Sequence, residues 1–166
     1  GVTSPAARKP SFIGKLGYDK QLSDDLRVRL TGSIYTTSGS ARNTLWGGDR
    51  AGSRYYFVME GVTTNGTPTS STAQFSSGLI NPGLTNKMTA IMVNPFVKYK
   101  GLEFFGMYET VSGKTRVETD ERNFQQIGAE LIYRFGNNEN LYVAGRYNNV
   151  SGETVTNDDI DVTRFN

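Results

Sequence analysis

Residues 127–147 read IGAELIYRFGNNENLYVAGRY, and this stretch decides the fold. Its first half places apolar side chains at every second position from Ile127 to Phe135, with Glu130 and Arg134 between them. Its second half repeats the alternation after a turn rich in Gly and Asn. Side chains two residues apart share one face of a strand. The stretch therefore predicts an antiparallel β-hairpin with one apolar and one polar face.

The same alternation recurs in both directions along the chain and predicts further strands of an antiparallel, up-and-down sheet. The predicted strands are 11–21, 26–36, 88–99, 102–110, 122–135, 141–148 and one that begins near Ile160. The tight connections are 22–25, 100–101 and 136–140, and the long polar connections are 37–87, 111–121 and 149–159. Tight and long connections alternate strictly. Most of the strands are close to the length of about 9–11 residues that a tilted strand needs to span a bilayer.

Composition excludes several classes of function. The chain has no Cys and no His, which removes disulfides, thiolate chemistry and every Ser-His-Asp arrangement. We therefore expect no enzymatic activity, no cofactor and no metal. The net charge of +2 gives no footprint for nucleic acid. No run approaches 18 apolar residues, so the sequence predicts no transmembrane helix, and a mean hydropathy of −0.46 is compatible with strands that face lipid on one side only.

The hairpin at 131–147 and the pair formed by Leu16-Gly17-Tyr18 and 26–30 resemble the strands of porin-like outer-membrane β-barrels of Gram-negative bacteria. The resemblance implies an all-β, up-and-down transmembrane barrel in contact with outer-membrane lipid. It also implies short periplasmic turns, an extracellular loop at 37–87 and an aromatic girdle. The predicted strands do not close such a barrel. We therefore expect 1–166 to be a single, incomplete barrel domain, completed by further strands or by an envelope protein.

The charged residues on the polar faces of the strands are candidates for a lumen wall that selects solutes. The alternative is that they form cross-strand charge pairs that only fill the interior. The candidates are Lys15, Arg27, Arg29, Lys98, Glu103, Glu109, Glu130, Arg134 and Arg146, joined in the same pattern by Asp19 and Asp161.

Two segments outside the strands contain other candidate sites. Trp46, Tyr55, Tyr56 and Phe57 are positioned in the long loop to stack on a sugar or peptide, or else to pack within the loop or a girdle. The run 157–159 is rich in oxygen ligands but lacks the spacing of an EF-hand, so a solvated loop is the better interpretation.

Three functions remain open at this stage. The leading hypothesis is a channel for passive diffusion of small polar solutes. The second is a structural barrel that anchors an envelope assembly. The third is a soluble antiparallel β protein that binds a sugar or a protein through loop 37–87.

Overall fold

The computed structural model describes residues 8–40, 61–62, 68–69, 80, 82–136, 138–154 and 159–166, and all regular structure in these ranges is β. Within them, no helix has the length and apolar character that crossing a membrane requires.

Seven strands form one antiparallel sheet in which each strand pairs with its neighbours in the meander. They are β1 (Ser11–Gln21), β2 (Leu26–Thr37), β5 (Lys87–Tyr99), β6 (Leu102–Lys114), β7 (Arg122–Phe135), β8 (Leu141–Glu153) and β9 (Asp159–Phe165), while β3 (Gly61–Val62) and β4 (Pro68–Thr69) form a separate small pair. The expectation of an all-β, up-and-down antiparallel sheet is confirmed. The sheet is not closed, because β1 and β9 lie at its edges. It is consistent with a fragment of a barrel.

The connections are of two kinds and lie at opposite ends of the sheet. The tight connections join β1 to β2, β5 to β6 and β7 to β8, and we call this the turn end. The longer connections join β2 to β5, β6 to β7 and β8 to β9, and we call this the loop end. At the turn end, Lys100 adopts a left-handed φ of 51°, which suits the two-residue hairpin between β5 and β6.

Two strands extend four or five residues beyond their predicted ends. β6 continues to Lys114 and β8 to Glu153, so the connections expected at 111–121 and 149–159 shrink to 115–121 and 154–158. The alternation continues through these extensions but its polarity changes: Val111 points to the buried side and Ser112 away from it. A prediction based on one continuous apolar row therefore ends these two strands too early.

Pro95 lies inside β5, a paired strand, although proline cannot donate a ladder hydrogen bond. The β5–β6 register is interrupted at Asn94 and Pro95, and it resumes unchanged at Phe96. The side-chain amide of Asn94 donates to the Gly106 carbonyl at 3.5 Å, and the proline ring occupies the space above Gly106. The sheet accepts the proline because the opposing residue has no side chain.

Directly paired residues share a face, so the registers divide the sheet into an inner and an outer face. The inner face carries the buried core at its loop end: Met88, Ala90, Val111 and Phe124. The segment 82–86, which leads into β5, packs on this core through Leu84. The outer face carries most of the exposed large apolar side chains.

Candidate functional site

All nine of the predicted lumen residues lie on the inner face. The registers pair Arg27 with Lys98, Lys98 with Glu103, and Glu130 with Arg146, so these side chains form continuous cross-strand rows. Asp161 does not belong to this set, because it pairs with Ser151 on the outer face. The prediction for Asp161 was wrong. The start of the last strand was predicted near the correct residue, but no apolar row indicated which of its side chains point to the inner face.

A network of four charges fills the inner face at the turn end. The Lys98 ammonium lies 3.3 Å from one carboxylate oxygen of Glu103 and 3.0 Å from Glu139, which belongs to the β7–β8 turn. The Arg134 guanidinium donates to the same Glu103 at 3.0 Å. Arg134 also lies 5.5 Å from the ring centre of Tyr142. Glu103 therefore joins β5, β6 and β7 through two cationic partners.

Smaller charge pairs flank this network on both sides. Arg27 donates two hydrogen bonds to the Asp19 carboxylate, at 2.9 and 2.7 Å. Arg146 lies 3.8 Å from Glu130 across β7 and β8. Arg29 forms no salt bridge among the described residues, but it lies opposite Asp19 in the register, and its guanidinium lies over the ring of Phe96 at 5.0 Å. Most inner-face charges of the paired strands are thus matched by an opposite charge on a neighbouring strand.

The inner face changes character towards the loop end, where Arg122 is the main polar element. Only 4 % of its side chain is exposed. Its guanidinium donates to Glu118 at 2.7 Å, to the Pro82 carbonyl at 2.8 Å and to the Glu153 carbonyl at 3.0 Å. One buried side chain therefore ties the segment before β5, the β6–β7 loop and the end of β8 to the apolar core.

Two carboxyls of the β6–β7 loop have lowered pKa values. Burial by itself raises the pKa of Glu118, but hydrogen bonds from the Thr115 amide and from Arg122 outweigh it, so the pKa lies below its ordinary value. The pKa of Glu121 is lowered chiefly by the hydrogen bond from Lys87. Both groups are held as carboxylates and fix the loop to the sheet.

Sequence reasoning missed the role of Arg122 and of the core around Phe124. The signal was present, since Arg122, Phe124 and Gln126 continue the inner row of β7. It was overlooked because the apolar residue in this part of the strand points inward, whereas the apolar residues of the turn-end half point outward.

Glu109 marks the boundary between the charged and the apolar parts of the inner face. It is buried, and it lies between Met92 and Gln126 in the register. The nine candidate residues are therefore not equivalent: Glu109 adjoins the core, whereas Lys98, Glu103 and Arg134 belong to the charge network.

The outer face carries an apolar band in its turn-end half. On β7 the band runs from Ile127 to Phe135, and on β5 it runs from Ile91 to Tyr99. Aromatic rings line both of its borders. The turn-end border contains Tyr18, Tyr99, Tyr133 and Phe135, and the other border contains Phe12, Tyr108, Tyr147 and Phe165.

Above the band, the outer face becomes polar as far as the loop end. There it carries Thr89, Thr110, Ser112, Lys114, Asn123, Gln125, Asn149, Ser151, Asp159 and Thr163. On β5, β6 and β7 the two faces thus exchange polarity along the strand. The turn-end half is apolar outside and charged inside, and the loop-end half is polar outside and apolar inside. We call this exchange the polarity reversal.

The aromatic loop candidates Trp46, Tyr55, Tyr56 and Phe57 lie outside the described residues, as do Asn157 and Asp158 of the oxygen-rich run. In the described part of the chain, no group of three or more acidic side chains is placed to hold a metal ion.

Comparisons with known proteins give no further information on identity: no family model, curated protein or solved structure matches the chain.

Proposed function

We propose that this chain forms part of the wall of a porin-like β-barrel in the outer membrane of a Gram-negative bacterium, and that the barrel lets small polar solutes diffuse passively. The observation that carries the proposal is the polarity reversal. A strand in lipid needs an apolar outward row, whereas a strand in water needs an apolar row towards the core. The strands β5, β6 and β7 meet the first requirement in one half and the second in the other.

The dimensions of the apolar band support insertion. The stretch Ile127–Phe135 is about 27 Å long at about 3.4 Å per residue. Tilted by about 40°, it spans about 21 Å of bilayer, close to the band of about 25 Å that outer-membrane barrels carry. The aromatic borders fit the membrane interfaces, where amphipathic rings are preferred. In water, this band would be a continuous exposed apolar patch, which monomeric soluble proteins rarely carry unless it serves an interaction.

The inner face of the turn-end half supports a solute path. Its network of Lys98, Glu103, Arg134 and Glu139 is polar and partly exposed, so water and small solutes can approach it. Both signs of charge are present, which favours small polar solutes of either sign over a strict anion or cation preference. On this proposal the chain is a passive conduit without enzymatic activity.

A structural barrel is the second candidate, and a specific observation favours it. At the loop end the inner face is covered by the segment 82–86, which is packed on the core and held by Arg122. A barrel closed in this way at one mouth would anchor other envelope components without conducting.

Single-channel conductance in planar bilayers separates the two candidates. The channel proposal predicts stepwise conductance, and Glu103→Gln shifts the reversal potential towards anions because it leaves Lys98 and Arg134 unbalanced. Lys114→Gln, on the outer face at the loop end, is the matched control and leaves the reversal potential unchanged. A barrel that contains this chain together with the strands that close it, and that inserts correctly but never conducts, contradicts the channel and supports the structural barrel.

The soluble binding module is tested by purification with and without detergent. The membrane proposal predicts aggregation in buffer and a β-rich circular dichroism spectrum in detergent or lipid. A monodisperse, monomeric and β-rich protein in detergent-free buffer would contradict it, because the apolar band would then have to be covered within the chain.

A further inference from the structure

The two edge strands of the sheet run in the same direction. β1 starts at the loop end, where Ser11 lies opposite Thr37, and proceeds towards the turn end. β9 also starts at the loop end, where Asp159 lies opposite Glu153. Direct pairing of β1 with β9 would therefore form a parallel seam in a sheet whose other pairs are all antiparallel.

Both edges also carry an inner-face cation without a carboxylate partner among the described residues. Lys15 on β1 belongs to no ion pair there, and Arg164 on β9 donates only to the amide oxygen of Asn166. The cations Arg27, Lys98 and Arg146 of the interior strands have their carboxylates on an adjacent strand. The edge cations have only one adjacent strand each.

From these two observations we propose that the seam between β1 and β9 is filled by an odd number of strands from outside those described. The strands next to β1 and β9 run from the turn end to the loop end, and they carry a carboxylate on their inner face beside Lys15 and Arg164. This inference rests on the proposed membrane function, because only in lipid must both edges be paired.

The direction of the partner strands follows from how strands connect. Antiparallel neighbours join through a short hairpin, whereas a parallel pair needs a crossover of a dozen residues or more. A crossover of that kind would have to pass the membrane or the lumen. Copies of this chain cannot replace the partner strands, because copies that share one orientation in the membrane present edge strands of equal direction and could pair only in parallel.

A strand peptide tests the direction, because the chain has no Cys and introduced thiols are therefore unique. The full chain is refolded into phospholipid vesicles together with a peptide of the sequence 141–153, which runs from the turn end to the loop end within the sheet. Antiparallel docking on β1, with peptide position 141 beside residue 20, also sets peptide position 149 beside residue 12. We expect a Leu141→Cys peptide to form a disulfide with Lys20→Cys chain but not with Phe12→Cys chain, and an Asn149→Cys peptide to show the opposite preference.

The same register tests the charge, because it places peptide position 146 opposite Lys15. An Arg146→Glu peptide should couple about two- to fivefold more than an Arg146→Gln peptide, the range expected of an exposed cross-strand ion pair. The difference should disappear in Lys15→Gln chain. In chain that carries both Lys15→Glu and Lys20→Cys, the Leu141→Cys peptide that keeps Arg146 should couple best.

Flotation of the chain with the vesicles is measured first in the same samples. Chain that does not float contradicts the proposed function, and the seam proposal falls with it. Chain that floats overturns the seam proposal alone in either of two cases. The first is coupling that is parallel or independent of charge. The second is a disulfide between Phe12→Cys and Thr163→Cys in one chain without peptide, which would show direct β1–β9 closure.

Discussion

The effect of replacing Leu131 by arginine on the free energy of unfolding depends strongly on whether the outer surface faces lipid or water. Leu131 lies at the middle of the apolar band on β7, with 51 % of its surface exposed. Its direct neighbours are Phe104 and Gly145, and a side chain placed at Gly145 would meet nothing within 4 Å, so an arginine has space. At an exposed site in water, such a change alters stability by less than about 0.5 kcal/mol.

In lipid the same substitution is strongly destabilising. Arginine on the lipid face of a barrel costs about 2–4 kcal/mol at the bilayer midplane and about 0–1 kcal/mol near the interface. At about 1.4 kcal/mol per factor of ten, the midplane cost corresponds to a loss of about 30- to 700-fold in the folding equilibrium. The free energy of unfolding is measured by guanidinium titration of chain folded in phospholipid vesicles, with circular dichroism as the signal.

Gln125→Arg is the matched control, since it lies on the same strand and face, exposed, about 20 Å nearer the loop end at about 3.4 Å per residue. We expect it to change the free energy of unfolding by less than about 0.5 kcal/mol. Leu131→Ala, which adds no charge, should cost less than Leu131→Arg. Equal effects of arginine at the two positions would refute the reasoning, because the outer face would then meet the same solvent along its length.

Three further predictions concern the loop-end half and the close approaches within the sheet. Arg122→Ala should destabilise the chain by about 3–5 kcal/mol in the same titration, since it removes the cation that pairs with the partly buried Glu118 and the donor to two backbone carbonyls, whereas the exposed Arg116→Ala should change little. Because the pKa of Glu121 is lowered in the folded chain by the lysine at the start of β5, its stabilising effect is present above its ordinary pKa of 4.5 and is lost as the pH falls through the folded value. Unfolding titrations over this acid range should therefore show a weaker pH dependence for Glu121→Gln than for the parent chain. Gly113→Ala should cost about 1–3 kcal/mol because its methyl group would collide with the backbone of β5, while Gly145→Ala, which meets open space, should stay within about 0.5 kcal/mol in the same measurement.

The sequence predicts those parts of the fold in which one apolar row runs along the strand. β1 and β7 have the predicted bounds, and β2 and β5 differ from prediction by one residue at one end. The turn-forming residues between them specify the hairpins locally. The meander order then follows from the short connections.

The ends of β6 and β8 could not be predicted in the same way. Beyond Tyr108 and Tyr147 the outward row becomes polar, and the inward row becomes apolar only where it meets the segment before β5. That contact is between residues distant in the chain, so no local pattern identifies it. For the same reason Tyr147, one residue before the predicted end of this strand at 148, lies within β8 at the border of the apolar band.

The candidate site was predicted as a set but not as a network. Alternation is sufficient to place Lys98, Glu103 and Arg134 on one face. It does not reveal that Glu103 binds both cations, because that depends on the registers of two strand pairs. Glu139 was assigned only to a turn, and its role in the network depends on how that turn folds back over the inner face.

The claim that the turn-end half of the sheet lies in lipid is tested most directly by measuring whether each outer-face position of β7 contacts lipid or water. Single cysteines at Asn123, Gln125, Ile127, Leu131 and Phe135 are spin-labelled in chain folded into phospholipid vesicles, and collisions with oxygen and with a water-soluble nickel complex are compared by electron paramagnetic resonance. We expect labels at 123 and 125 to collide mainly with the nickel complex. Labels at 127, 131 and 135 should collide mainly with oxygen, and the preference for oxygen should be highest at 131. Preferential collision with nickel at every position would contradict the claim that the turn-end half lies in lipid.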